Sequence, residues 1–247
     1  MRLDAPTFAR AWLSVAQASS AKDDTAVLAK TIAIEEHTHG LRLVATDRFM
    51  LLTAWVPSLD TSTAAEPALD EAPERTIVAA DFDGRAKSLL GYVMTLAKRM
   101  ETDDLPPGTL EVEVTFDVKA PAGANVPDTL PGLVAVFAVL SVPDTEEVYL
   151  PVVQADYPQW RALVEGFKSV KTTRLAFNPE FLHRLAAVRR WCFGPLVWDF
   201  GGAEKVAAVD YPESDPHVSG LVMPIRWTLP GEPDRADATL SPGKGEA

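Results

Sequence analysis

The sequence predicts an α+β protein that repeats one plan three times: a strand, a helix, then three strands. Three observations carry the prediction. Apolar residues recur at helical spacing in three places: Phe8, Trp12 and Val15; Phe82, Ala86, Leu89, Val93 and Leu96; Phe181, Leu185, Val188 and Cys192. Each stripe follows a short apolar stretch and a helix-start signal, namely Pro6, Asp81, or Asn178 with Pro179. Each is then followed by apolar runs of strand length broken by polar or Gly/Pro-rich turns. A unit of this kind leaves one face of its sheet and helix apolar, so the repeats must stack to close a core.

In the first repeat, Met1-Arg2-Leu3 is the leading strand and Pro6 opens a helix that ends within Ser19 to Asp24. At about 100° per residue, Arg10 and Gln17 fall opposite its apolar stripe. Ala26 to Glu35, Leu41 to Ala45 and Leu51 to Val56 are its three strands. Leu41, Leu43 and Ala45 alternate with Arg42 and Val44, which predicts a half-buried strand. Thr46-Asp47 then interrupts it before Phe49 to Trp55, either as a plain hairpin or as the lip of a binding groove. Pro57 to Glu74, rich in Pro, Ala, Ser, Thr and acids, reads as a surface connection.

The second repeat follows with strand Thr76 to Ala79, cap Asp81, helix Phe82 to Met100 and strands Leu110–Val118, Leu133–Val142 and Glu147–Val153. Lys87 and Lys98 lie opposite its helical stripe. After Tyr157-Pro158-Gln159-Trp160-Arg161 and a linker, the third repeat has strand Thr173 to Phe177, cap Asn178 and a helix carrying His183 and Arg190 opposite the stripe. Pro195 to Phe200, Lys205 to Asp210 and Val218 to Trp227 are its strands, and Pro230 to Ala247 reads as a disordered tail. The expected organisation is residues 1–165 as a domain of two repeats (about 1–60 and 75–155), 166–228 as a half-domain, and 229–247 as tail.

Composition narrows the function. The chain of 247 residues has net charge −12, which argues against a protein coated by nucleic acid over its whole surface but leaves room for one basic face. Its acids cluster in predicted loops, while Arg10, Lys87, Lys98, His183 and Arg190 share the far sides of the three helices. They are either solvated helix faces or, with the helices side by side, a track for phosphates. No apolar run reaches membrane length and no secretory leader is recognisable. The single Cys192 excludes an intrachain disulfide, fits a reducing compartment and reads as a buried structural thiol.

Catalytic signals are weak. Glu35, His37 and His39 alternate on one strand end and could chelate, but a hydrated turn explains them and no further ligand is placed. The pairs Asp23-Asp24, Asp103-Asp104 and Glu146-Glu147 sit in predicted loops. No nucleophile elbow or phosphate loop follows a strand. The expectation is no enzyme, no cofactor and no metal.

Four landmarks in order carry a family resemblance. LRLVATDRFMLL (Leu41 to Leu52) resembles the segment L-x-x-x-A-T-D-G-H-R-L-A of the bacterial DNA polymerase III beta subunit, the sliding clamp. YPQWR (Tyr157 to Arg161) is similar to its F-P-D-Y-R, FNPEFLHRL (Phe177 to Leu185) to F-N-x-x-Y-L-x-x-x-L, and LVMPIRW (Leu221 to Trp227) to V-V-M-P-M-R-L. The resemblance implies a DNA clamp (processivity) fold, with antiparallel sheets outside and helices lining a DNA-sized hole. It implies sequence-independent contact of the basic helix faces with duplex DNA. It also implies a hydrophobic groove for short peptide motifs of a polymerase and a clamp loader, carried over to Thr46, Arg48, Phe49, Met50, Leu51, Pro158, Leu221, Met223, Pro224, Ile225 and Arg226.

This sequence departs from the pattern in places. Gly-His-Arg after Thr-Asp is Arg48-Phe49-Met50, and the final Leu is Trp227 followed by a tail. Bacterial clamps have three domains of two units, whereas about three units are present here. The expected protein is a shortened clamp, of a size that fits a phage-encoded one. It would be cytoplasmic, without membrane contact, and would form a homo-oligomeric ring. The rivals are a clamp-like adaptor or decoy that binds such peptides without encircling DNA, and an unrelated small enzyme.

Overall fold

Short polar caps and alternating apolar strands set the elements. The structure, a computed structural model, describes residues 1–19, 31–61, 65–68, 70–81, 84–102, 110–119, 133–153, 157–168, 176–192, 194–201 and 205–225. The first repeat comprises β1 (Arg2–Asp4), α1 (Ala5–Val15), β2 (Thr31–His37), β3 (Gly40–Thr46) and β4 (Met50–Pro57). The second comprises β5 (Arg75–Ala80), α2 (Arg85–Thr102), β6 (Glu111–Lys119), β7 (Leu133–Ser141) and β8 (Val148–Val153). A short α3 (Trp160–Glu165) precedes the third, α4 (Pro179–Val188), β9 (Val197–Phe200), β10 (Ala207–Tyr211) and β11 (Val218–Val222).

The caps follow from side-chain chemistry. Asp4 accepts hydrogen bonds from the Thr7 amide at 2.9 Å and its hydroxyl at 2.5 Å, so α1 starts at Ala5 and Pro6 is its second residue. Asp81 accepts from the amides of Ala86 and Lys87, and Asn178 from that of Glu180.

The strands form one antiparallel sheet in the order β1-β6-β7-β8-β5-β2-β3-β4-β11-β10-β9. The first two repeats exchange strands. β1 leads the first repeat but pairs with β6 of the second, while β5 leads the second and pairs with β2 of the first. Single bridges, Ala79 to Val152 and Leu3 to Ser58, close the two halves against each other. The third repeat joins through β11, which pairs with β4. Gly220 makes that junction possible: a Cβ there would stand 1.9 Å from the Leu51 carbonyl oxygen.

Three helices cover one face, with α1 packed between α2 and α4 and against β3, β4, β6 and β11. Alternation sends Ile32, Ile34, Leu41, Leu43, Ala45, Met50, Leu52 and Val56 into this helix-side core, beside Phe8, Trp12, Leu90 and Val93.

Several expectations are corrected. α1 is buried nearly all round, because helices flank it on both sides; the single stripe extends to Ala9, Ala11 and Leu13. α2 begins at Arg85, with Phe82 outside the described residues, and α4 ends at Val188, leaving Cys192 buried in the turn beyond it. β11 stops at Val222. α3 is a helix the sequence reading leaves as linker. The expected strand Thr173 to Phe177, apart from its last two residues, and the tail lie outside the described residues.

Candidate functional site

The turn that interrupts LRLVATDRFMLL is held from within and from the third repeat. Asp47 Oδ1 accepts from the amides of Phe49 (3.0 Å) and Met50 (2.8 Å), while Thr46 Oγ1 donates to the Met50 carbonyl and accepts from the Arg48 amide. Arg48 takes φ 78°, a left-handed turn conformation. From α4, Arg184 reaches Asp47 Oδ2 at 2.5 Å and the Gln17 carbonyl at the end of α1 at 2.6 Å, nearly excluded from water. One guanidinium therefore pins turn, α1 and α4 together, a pair that is costly to break because the remaining carboxylate would stay buried.

The face of the sheet away from the helices carries a second, smaller core. Leu51 of β4 stands opposite Leu221 of β11, and with Ala33, Val44 and Trp160 they form a buried cluster bordered by Tyr157, Val164 and Phe167. α3 is the bracket over this cluster. Tyr157 donates its hydroxyl to the Val44 carbonyl at 2.9 Å. Trp160 Nε1 donates to Glu35 at 3.0 Å, and Arg161 grips the same carboxylate with both Nη atoms at 2.9 and 2.5 Å. Arg161 also lies over the Trp160 ring, 4.6 Å from its centroid. On α3 itself Leu163 is 54% exposed, and Met223, one residue past β11, is 42% exposed.

The other end of this open face is charged. Arg42, 1% exposed, donates to the Pro67 carbonyl at 2.7 Å and pairs with Glu66 at 3.3 Å, laying residues 65–68 across the sheet. His217 faces Glu66 at 3.6 Å and Asp210 at 2.6 Å. The hydrogen bond with Glu66, then that with Asp210, push its pKa up to about 9 against the opposing effect of burial. Burial pushes Glu66 upward, but His217 and Arg42 outweigh it and hold the carboxyl below its ordinary range. His37, buried against the edge of Trp55, is pushed below its ordinary value by desolvation and by the Arg42 charge, which favours the neutral ring. His39 is exposed on the turn, and among the described residues no group of three or more His, Cys, Asp or Glu side chains is placed to hold a metal.

The expected groove residues divide. Leu51 and Leu221 meet on the open face, with Pro158 half-buried ahead of α3, its carbonyl accepting from the Trp160 amide. Past the end of β11, Met223 and Ile225 are exposed and Pro224 is half-buried; the Met223 amide donates to the Phe49 carbonyl and the Ile225 amide to the Ala176 carbonyl, each at 2.8 Å. Phe49 is 58% exposed, but its ring stacks on Phe181 of α4, with 6.1 Å between centroids, on the helix side of the turn. Met50 is fully buried in the helix-side core and offers no groove surface, a correction that follows from strand alternation. Arg226 lies outside the described residues. Trp160, Leu163 and Val164 escape the sequence reading, although Trp160, Val164 and Phe167 keep helical spacing that could have found them.

On the helix side, Lys87 and Lys98 of α2, His183 of α4 and Arg190 just beyond it are exposed. Arg10 is not: it is half-buried between the flanking helices and donates to the Thr7 hydroxyl at 3.2 Å. No described helix is long and apolar enough to cross a membrane.

No protein-family model matches the chain and no curated protein matches it in sequence. Solved structures match it in shape. A DNA polymerase III subunit beta from Borrelia burgdorferi, in complex with a natural product, aligns at TM-score 0.54 and 10% identity, over 92% of this chain and 64% of that one. A putative DNA polymerase III beta subunit from Eubacterium rectale aligns at 0.55 and 11%, over 92% and 65%. A DNA polymerase III subunit beta sliding clamp from Bartonella birtlesii aligns at 0.52 and 11%, over 94% and 66%. The chain thus spans less than two-thirds of the length of each. The α+β architecture of strand, helix and three strands is a sliding-clamp fold, the class the sequence predicts.

Proposed function

We propose that the chain is a non-catalytic sliding clamp of shortened form. Several copies would close a ring around duplex DNA without sequence preference and tether a replicative polymerase, or receive a clamp loader, through a short peptide. The observation that carries this reading is the open-face ledge. Leu51 and Leu221 make a dry floor and Trp160 and Val164 a wall held rigid by Glu35 and Arg161, while the exposed Met223 after β11 and Leu163 on α3 would serve as adaptable apolar rims. A rigid floor with a Met at its edge suits apolar anchors of a bound peptide. Thr46, Arg48, Phe49, Pro158, Pro224, Ile225 and Arg226 would frame the peptide's ends.

Lys87, Lys98, His183 and Arg190 would contact phosphates through screened contacts that do not fix register, with Arg10 contributing field more than contact. In this reading residues 1–165 form a clamp domain of two repeats, 166–228 a half-domain and 229–247 a tail. The protein would work in the cytoplasm of a bacterium or of an infected host cell.

Loaded onto nicked circular DNA, the protein should stay bound and be lost when the circle is cut. Equal retention on circles and linear DNA would sink the ring. Met223→Ala and Leu163→Asp should each weaken capture of a polymerase-derived peptide tenfold or more with an unchanged melting temperature.

A second reading, an adaptor or decoy that binds the peptide without encircling DNA, draws on two observations. The central helix presents only a half-buried Arg10, and the chain carries −12 net charge. Peptide binding with equal loss from circles and linear DNA would select it.

A further inference from the structure

The charged end of the open face is already occupied, by the chain itself. Register puts Arg42 opposite Trp55, and His217, one residue ahead of Val218 opposite Ala54, carries that row on toward β10. Residues 65–68 lie across the row, with Glu66 between the two cations at 3.3 Å from Arg42 and 3.6 Å from His217. Four residues along β4 from Trp55 stands Leu51, opposite Leu221, the floor of the ledge. Trp160 joins the two places: it belongs to the ledge cluster, and its ring centroid lies 5.6 Å from the Arg42 guanidinium.

The strap is a poor occupant of this row. Glu66 and the Pro67 carbonyl both accept from Arg42 Nη2, while Nε and Nη1 of the same buried side chain have no partner among the described residues. A guanidinium offers a carboxylate two parallel N–H groups, and here that fork is unused. The hold on the strap is correspondingly thin. Among the described residues no backbone hydrogen bond ties 65–68 to the sheet, and Ala65, Glu66 and Ala68 are exposed with Pro67 half-buried.

We propose that residues 65–68 are a displaceable strap on a carboxylate site: an acidic side chain of the peptide seated on the ledge takes the place of Glu66 on Arg42 and His217. The inference rests on the peptide role proposed above and adds to it a charge requirement and a gate. Charge complementarity names the occupant, since the group now between the two cations is itself a carboxylate. Extended chain advances about 3.3 Å per residue, so the acid stands about four residues, or ~13 Å, from the apolar anchor. A peptide without the acid fills the ledge and leaves the strap closed. One that carries it exchanges one carboxylate for another, so Arg42 is never left buried without an anion. Glu66, tethered in the chain, competes at high effective concentration and holds the affinity for acidic peptides below what the bare site would give.

Capped synthetic peptides test it on the full chain, each with a Leu-Leu pair and one Asp four residues before or after the pair, beside counterparts with Asn for Asp. Affinity is read by fluorescence anisotropy, and strap movement by an environment-sensitive dye on Ala65→Cys, the native Cys192 being buried. In one of the two registers the Asp peptide should bind about fivefold tighter than its Asn counterpart and shift the dye, while the Asn peptide binds without shifting it. Glu66→Gln, at an exposed site, should keep the circular dichroism spectrum, raise the affinity for that Asp peptide about tenfold and change that for the Asn peptide less than about twofold. Equal affinity of Asp and Asn peptides in both registers overturns the inference. So does a dye that stays still on Asp binding or moves with both peptides, or an affinity that Glu66→Gln does not change. Each of those outcomes, with the Asn peptide still bound, leaves the ledge standing and removes this inference alone. Failure of every peptide to bind removes the peptide role and this inference with it.

Discussion

The first two repeats and the third share a helix followed by three strands and differ in how each is closed. In the first two, the leading strands cross over and the helices α1 and α2 cover a core whose largest side chains, Trp12 and Phe8 among them, are shut from solvent. In the third, α4 packs among the described helices mainly against α1, and the aromatics behind β9 are only partly buried. Sequence pattern alone does not make a closed domain. What closes it is a mate, and among the described residues no strand borders the outer edge of β9.

Three measurements can break or sharpen that contrast. The largest effect belongs to the closed core: Trp12→Ala should cost about 3–5 kcal/mol in urea unfolding, by transfer and cavity together. The half-exposed Trp198→Ala should cost about 1–2 kcal/mol in dilute protein. Equal losses would erase the distinction between the two regions.

Next comes the pin between them. Arg184→Ala leaves Asp47 buried without its cation and should cost about 3 kcal/mol, at the low end for such pairs because Phe49 and Met50 amides still serve the carboxylate. Hydrogen exchange in residues 47–50 and in α4 should rise together. Faster exchange in only one of them would show that Arg184 does not couple the third repeat to the first.

The smallest effect is a pH dependence at the His217 bridge. His217 has its folded value raised from 6.5 to about 9, so its contribution is complete below 6.5 and is lost as pH climbs through 9. With its side chain 43% exposed, solvent screening keeps the contribution under about 1 kcal/mol. The melting-temperature gap between wild type and His217→Asn should be widest near pH 6 and vanish near pH 10. A gap that does not change with pH would remove the bridge as a charge effect.

Local patterns were readable where local forces decide. The helical stripes, the caps Asp81 and Asn178, and the two-faced alternation of β3 appear in the sequence because each depends on neighbours within a few residues, but β3 is buried on both faces and not half-buried as expected, since α3 and residues 65–68 cover its open side. The parity of β4 did not: Met50 and Leu51 are both apolar, and which one faces the helices depends on where the Asp47 turn releases the chain. The all-round burial of α1 was equally hidden, since it depends on two helices far away in sequence. α3 was missed because six residues give a helical period too little length, even with Trp160 and Val164 in place. The pairs Glu35–Arg161 and Arg42–Glu66, which shape the open face, join residues 126 and 24 apart, and charge alone does not say which acid meets which base.

The exchange of β1 and β5 also dictates an order of events in the cell. β1 finds its backbone partners in residues 111–113, so the first repeat stays incomplete until more than a hundred residues have been made. At a translation rate of about 5–20 residues per second, that is a wait of roughly 5–20 s. Throughout that interval β1 lacks its ladder partner, while the edge of β2 stays open only until β5 at residues 75–80 is made, and pairing over such separations is intrinsically slow. The same crossover that locks the finished pair leaves the nascent chain in need of protection from aggregation.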